Sequence, residues 1–365
     1  MFLFRFLGLT LIDDNVSEIK FLRVINLFWM SASLGVFIHL IMSPSTHILD
    51  RTFSHMSEVI EIVNYLLVLA THSVILAHVQ LVSKRDIAWY TKIQQVDELL
   101  RREHDVKVNH DVIRRSNLIK VFLIFVSTLV CSIVNMHYAM STSNFIFLFS
   151  VHNYCLKTII NLRYIQNATR VDIFKEHIIA FQCAIHKVVN RNHTQWKIVF
   201  VLDKFNRKHN PIKKIDDTKD ILIFKRVHGL LYESTKILEN CFGWSLLAMI
   251  TFTFIDLTSN LYLFFLAFLH LEERFDSLDC ILELIPSIIA ISCLIYSSFD
   301  AGRKGKEIVN QVIKLYTNTT SEYNVMLKDF LMQTYHERIE NSANDFFLVD
   351  CKLLSSVSIH VCDVN

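Results

Sequence analysis

The sequence predicts an all-α membrane protein, a multi-pass helical bundle with its N-terminus in the cytoplasm. Three observations carry that reading. The 365-residue chain is 52% hydrophobic, with Phe 28 and Gly only 6. Soluble proteins of this length use about 45–50% apolar residues with Gly already included. Charged residues make up 20%, below the usual ~25%, and they are missing from stretches of about 20 residues, the length that crosses a hydrocarbon core. Finally, Lys and Arg alternate between abundance and near absence in successive connections, as expected of a chain that crosses and recrosses a bilayer. The net charge of +2 argues neither for nor against nucleic acid, and no such partner is expected.

Six spans are expected in order, at about 22–42, 59–82, 118–140, 145–165, 241–268 and 280–299. The first, LRVINLFWMSASLGVFIHLIM, ends before Pro44. The second and third, VIEIVNYLLVLATHSVILAHVQLV and LIKVFLIFVSTLVCSIVNMHYAM, are apolar nearly throughout. The fourth carries Lys157 and Arg163 near one end, where long basic side chains can snorkel. The fifth begins at Cys241, and the sixth contains Pro286, which is expected to kink it. An incomplete seventh span is read at 346–362. At the start of the chain, Arg5 interrupts MFLFRFLGLTLIDD and no small-residue cleavage site follows, so the N-terminus is expected to stay uncleaved.

Orientation follows from the connections. Lys84, Arg85, Lys92, Arg101, Arg102, Lys107, Arg114 and Arg115 lie between spans two and three. Lys204, Arg207, Lys208, Lys213, Lys214, Lys225 and Arg226 follow span four, and Arg303, Lys304 and Lys306 follow span six. The other connections hold Arg51, Arg274 or no basic residue. The basic connections are therefore cytoplasmic, and the N-terminus with them. The sequons at Asn15, Asn167, Asn192 and Asn318 fall on that side, where they stay unmodified.

The cytoplasmic connections, about 166–240 and 301–344, read as structured. VDIFKEHIIAFQCAIHKVV places Ile173, Ile178, Phe181, Ile185 and Val188 at helical spacing, and FKRVHGLLYESTKILENCFGW runs toward span five interrupted only by Gly229. RKHNPIKKIDDTKD between them is charged, holds Pro211 and reads as a loop. Two readings stand for these helices: surface helices on their own subunit, or extensions that pack with partner subunits.

No phosphate-binding, zinc-protease, nucleophile-elbow or Cys-x-x-Cys pattern occurs, so no enzymatic activity, metal or cofactor is expected. The eight cysteines form no zinc-like set, and most read as small buried hydrophobes. Polar residues inside spans are more informative, because placing them in lipid is costly. An outer-half set comprises Glu61, Asn64, Tyr65, Asn135, His137, Tyr138, His152, Asp256, Asn260, Tyr262 and Glu283. Together they suggest an outward-facing pocket for a small organic ligand. Taken singly, each equally fits an interhelical hydrogen bond or an interfacial aromatic. Asp256 is the most telling, being charged and well inside its span.

LLYESTKILENCFGWSLLAMITFTFIDLTSNLYLFF, from Leu230, resembles the corresponding region of insect gustatory receptors. SEYNVMLKDFLMQTYHERIENSANDFFLVDCKLLSSVSI, from Ser321, resembles the segment leading into that family's last span. The resemblance implies a ligand-gated, non-selective cation channel for taste detection, activated by a small-molecule tastant. Its implied form is a tetramer, homomeric or with related subunits, in the lipid bilayer of the cell membrane. It also implies an anchor helix over Ser321–Ile339, where Leu327, Phe330, Leu331 and Tyr335 share one face by spacing. Leu353 and Ser356 would line the pore. The family closes its last span with Thr-Tyr, five residues, then Gln-Phe, an ending this chain does not have. From Leu353 to Val361 a helix covers only about half of a ~30 Å core, so the final segment reads as the first half of a pore helix. The alternatives are a non-conducting modulatory subunit and a seven-helix receptor coupled to G proteins, the latter requiring an extracellular N-terminus.

Overall fold

The computed structural model describes residues 55–140, 144–203, 214–269, 277–316 and 321–339, together with Phe28, Ser31 and Gly35. The rest of the first expected span, the span at 346–362, and Leu353 and Ser356 lie outside the described residues. The described chain is all-α: α1 (His55–His104), α2 (His110–Met140), α3 (Asn144–Asp203), α4 (Lys214–Phe268), α5 (Ser277–Tyr316) and α6 (Ser321–His336).

The helices are far longer than a bilayer requires. α3 has 60 residues, about 90 Å at 1.5 Å per residue against a ~30 Å hydrocarbon core. It contains no Gly or Pro to interrupt it. α1 (50 residues) and α4 (55 residues) behave alike: span two continues without a break to His104, and spans four and five run unbroken into the helical segments read beside them. Among the described residues, four stretches are long and apolar enough to cross a membrane: Ile62–Val82, His110–Val134, Thr218–Phe268 and Cys280–Leu315. In α2 only 17% of the most apolar window is buried inside the chain. Leu118, Phe122, Phe125, Leu129 and Ile133 stand exposed on it, an apolar surface that suits lipid rather than water.

Local chemistry sets the helix ends. Asp105, at φ 47°, turns the chain out of α1, and Lys187 of α3 donates to the carbonyls of His104 and Asp105 at 3.3 and 2.9 Å. Asn109 caps α2 by accepting from the Val112 N–H at 3.3 Å. α4 begins at Lys214, inside the stretch expected to be a loop. From Lys214 to Phe268 the chain holds no Pro, so no breaker separates the charged stretch from the helix that leads into span five. α5 runs through Pro286 without ending.

α1 packs most extensively along α4, and α3 along α5. Two apolar cores result. One lies within the membrane-length half and includes Ile75, Ile124, Ile160, Tyr164, Met249, Phe252 and Leu294. The larger one lies in the extensions and includes Trp89, Leu100, Phe174, Phe181, Phe224, Leu231, Ile308, Leu327 and Phe330. Two of the four residues expected to face a neighbouring subunit, Leu327 and Phe330, are thus fully buried in their own chain. Leu331 is partly buried against the same core, whereas Tyr335 is exposed, as are Val325 and Met332. Just past α6, Ile339 lies so close to Gly305 of α5 that an added Cβ would meet its carbonyl at 3.0 Å.

A charged knot joins the two cores. Arg170 of α3 grips Asp86 of α1 bidentately, at 2.5 and 2.8 Å, with its guanidinium 4.7 Å from the Phe242 ring centroid and near Tyr90 and Trp89. Burial alone would raise the Asp86 carboxyl, but the Arg170 guanidinium outweighs it and holds Asp86 below the ordinary carboxylate value. The pair therefore contributes stability above the ordinary carboxylate pKa, and that contribution is lost as pH falls through the depressed value. Arg163, expected to snorkel, is instead buried 4.3 Å from the Phe242 centroid and donates to Gln166 at 2.5 Å.

Arg170→Met is expected to cost about 3–5 kcal/mol by leaving Asp86 buried and unpaired. Arg170→Met with Asp86→Asn should recover most of that loss. Thermal unfolding of the purified chain reads both, and equal losses in the single and double variants would contradict the pairing.

Candidate functional site

The apolar half of the bundle ends where α2 gives way to α3 and α4 to α5, and the polar residues buried there form two groups. The first is built around Lys157 of α3. Its ammonium donates to Asp256 Oδ1 of α4 at 3.1 Å and to Glu283 Oε2 of α5 at 3.2 Å. Lys157 lies about 20 Å along α3 from Asn144, and Asp256 about 18 Å from the end of α4, so the two helices bring opposite charges to one depth. One turn before Lys157, Tyr154 presents its hydroxyl on the same face and donates to Glu283 Oε1 at 2.8 Å. Asn260, at i+4 from Asp256, donates to Asp256 Oδ1 at 3.1 Å and to its carbonyl at 2.9 Å. The Asp256 carboxylate is sealed (0% residue exposure), with Oδ2 unpartnered. The Glu283 side chain is 28% exposed.

The second group joins α1 to α3. The Tyr65 hydroxyl and His152 Nδ1 lie 3.1 Å apart, with ring centroids 6.0 Å apart at a 55° tilt. Two turns along α1, His72 is fully buried with neither ring nitrogen partnered, and Asn64 Oδ1 is likewise buried without a partner. Asn64 Oδ1 can accept from a hydroxyl or water, and the His72 ring can donate through one nitrogen and accept through the other.

The structure thus brings Asp256, Asn260 and Glu283 together in one group and Tyr65 and His152 in another, with Asn64 on the same helix as Tyr65. Tyr262 joins neither, being 40% exposed, since two residues of helix carry it some 200° round from Asn260. Glu61, Asn135, His137 and Tyr138 lie on α1 and α2, with side chains outside those described. Sequence reasoning missed Tyr154, His72 and above all Lys157. Lys157, expected to snorkel, is instead held by two carboxylates within 3.2 Å. A signal was present: one cation and two carboxylates in three adjacent spans.

Among the described residues no group of three His, Cys, Asp or Glu is placed to hold a metal ion. A small apolar cavity lies in the extensions among Val171, Phe174, Leu238, Ala301 and Ile339, with room of about 10 Å³, about one water molecule.

A polytopic bundle with ion-paired and unsatisfied polar groups sealed in its apolar half has the build of a membrane receptor. The 7tm chemosensory receptor family matches residues 1–361, and the chain belongs to that family. Its fold is similar to that of the insect olfactory receptor OR5 from Machilis hrabei, with a TM-score of 0.67 at 10% identity over 100% of this chain and 96% of that one. OR5 in complex with eugenol gives a TM-score of 0.63 at 11% identity over the same shares. At such identity the likeness is one of fold. No curated protein matches the chain in sequence.

The charge count predicts opposite signs for two substitutions. Lys157→Met should destabilise by about 3–5 kcal/mol, since it leaves two carboxylates without their shared cation. Asp256→Asn should be neutral or stabilising, because it removes the sealed charge while keeping an acceptor for Lys157. Melting temperatures of the two purified variants decide it, and a loss of similar size in both would refute the count.

Proposed function

We propose that this chain is a gustatory receptor subunit of an insect, a ligand-gated, non-selective cation channel in the cell membrane. Four subunits surround the pore, alone or with related chains. Membership of the chemosensory receptor family over residues 1–361 carries the proposal. The buried polar groups supply what such a receptor needs: Asn64, Tyr65, His72 and His152 form one face of the tastant pocket, and the Lys157 network forms another. That OR5 has been seen with eugenol, a small organic molecule, supports a ligand of this size. The N-terminus and the extensions are cytoplasmic, in keeping with the basic connections. The exposed face of α6, with Val325, Met332 and Tyr335, meets the neighbouring subunit. Leu353 and Ser356 line the pore.

Voltage-clamped cells expressing the full chain should show inward cation current to at least one member of a sugar, bitter and volatile panel. Tyr65→Phe or His152→Ala should raise the half-maximal concentration about tenfold, as loss of one buried hydrogen bond worth about 1.4 kcal/mol predicts. Responses untouched by both substitutions would remove the pocket. Topology is checked on Asn192: an endoglycosidase-sensitive glycan there would place the extensions outside and favour a G-protein-coupled receptor instead.

A further inference from the structure

One ammonium serves two carboxylates in the Lys157 network, each within 3.2 Å of the same nitrogen. Three spans, α3, α4 and α5, meet there. Asp256 is completely buried, and its second oxygen, Oδ2, has no hydrogen-bond partner. An acceptor on a charged carboxylate left bare in a low-dielectric interior is among the most costly arrangements a membrane protein can hold. Its natural complement is a second N–H-bearing cation. The Glu283 side chain is 28% exposed, whereas Asp256 is fully buried. Tyr154 beside it holds Glu283 by its other oxygen, which leaves that carboxylate fixed as a docking point.

We propose that Asp256, Glu283 and Lys157 form a subsite for a primary ammonium group, so that the ligands of this receptor include protonated alkyl amines. The incoming group donates to Asp256 Oδ2 and shares Glu283 with Lys157, whose tethered ammonium already shows the geometry the site accepts. Recognition is through N–H donors, of which a primary ammonium has three. A quaternary ammonium, having none, is refused, and so is a neutral alcohol of the same length. The inference rests on the reading of this end of the bundle as the ligand site, and it adds the class of ligand.

The test uses the purified full-length chain in detergent at neutral pH, with n-propylammonium chloride as probe and equal sodium chloride, tetramethylammonium chloride and 1-propanol as controls. Propylammonium is expected to raise the melting temperature of the wild type by about 2–4 °C in a dose-dependent way, with no rise from the controls. Asp256→Asn should abolish the shift. Lys157→Ala should enlarge it, the free amine replacing the lost tethered one. If Lys157→Ala does not fold, the wild-type and Asp256→Asn comparison decides alone, with Glu283→Gln as a second loss variant. No shift in the wild type, an equal shift with any control, or a shift that survives Asp256→Asn would each overturn the subsite. Currents evoked by neutral tastants and blunted by Tyr65→Phe, alongside a flat propylammonium titration, would overturn the amine class and leave the receptor reading standing. Silence in both assays would remove both.

Discussion

A charge placed where neither water nor lipid headgroups reach it must be met by the protein itself, and the structure is organised around two such debts. Lys157 sits between Asp256 and Glu283, and Arg170 sits on Asp86. Neither interaction is local: the first ties α3 to α4 and α5, the second ties α3 to α1. Apolar packing within a bilayer is weakly directional, since lipid tails are as apolar as leucine. Register between long helices therefore has to come from groups that lose heavily when misaligned. A slip of one residue on α3 rotates Lys157 by about 100° and strands two carboxylates.

This division of labour explains why the larger core lies outside the span-length half. In the extensions, water drives the burial of Trp89, Phe181, Phe224 and Phe330, and ion pairs such as Lys219 with Glu103 at 2.9 Å close the surface. At the boundary between the halves, Lys120 of α2 bonds Asp172 of α3 and donates to Ser297 of α5 at 2.7 Å. Lys175 reaches Asp300 at 3.4 Å. Buried polar atoms without a partner occur in both halves, Trp89 Nε1 and Asn167 Oδ1 in the extensions and His72 and Asp256 Oδ2 in the apolar half. On the proposed reading, the larger core holds shape while a ligand in the apolar half would change the balance of contacts.

Much of the fold could be read from the sequence, because helix length, apolar runs and basic connections are one-dimensional signals. The helical pattern of 173–188 is found in α3, and Asp256 stands out in the structure as it does in the sequence. For Lys157 and Arg163 the cause is that the sequence marks no boundary inside an uninterrupted helix. Lys157 and Arg163 look terminal when the fourth span is cut at 165, yet they are interior in a helix that runs to Asp203. Likewise Leu327 and Phe330 form an apolar stripe whose partner the spacing does not name, and that partner is this chain's own core. Tyr262 shares a span with Asp256 but not a face. The Arg170–Asp86 pair joins residues 84 positions apart, with no motif at either.

The account depends most on Lys157 and Asp256 acting as one unit across α3 and α4. A double-mutant cycle of Lys157→Met and Asp256→Asn, read by reversible unfolding of the purified chain, measures that directly. The structure predicts a coupling energy of about 2 kcal/mol or more, with the pair far less damaging than Lys157→Met alone. Effects that simply add, within about 0.5 kcal/mol, would contradict it.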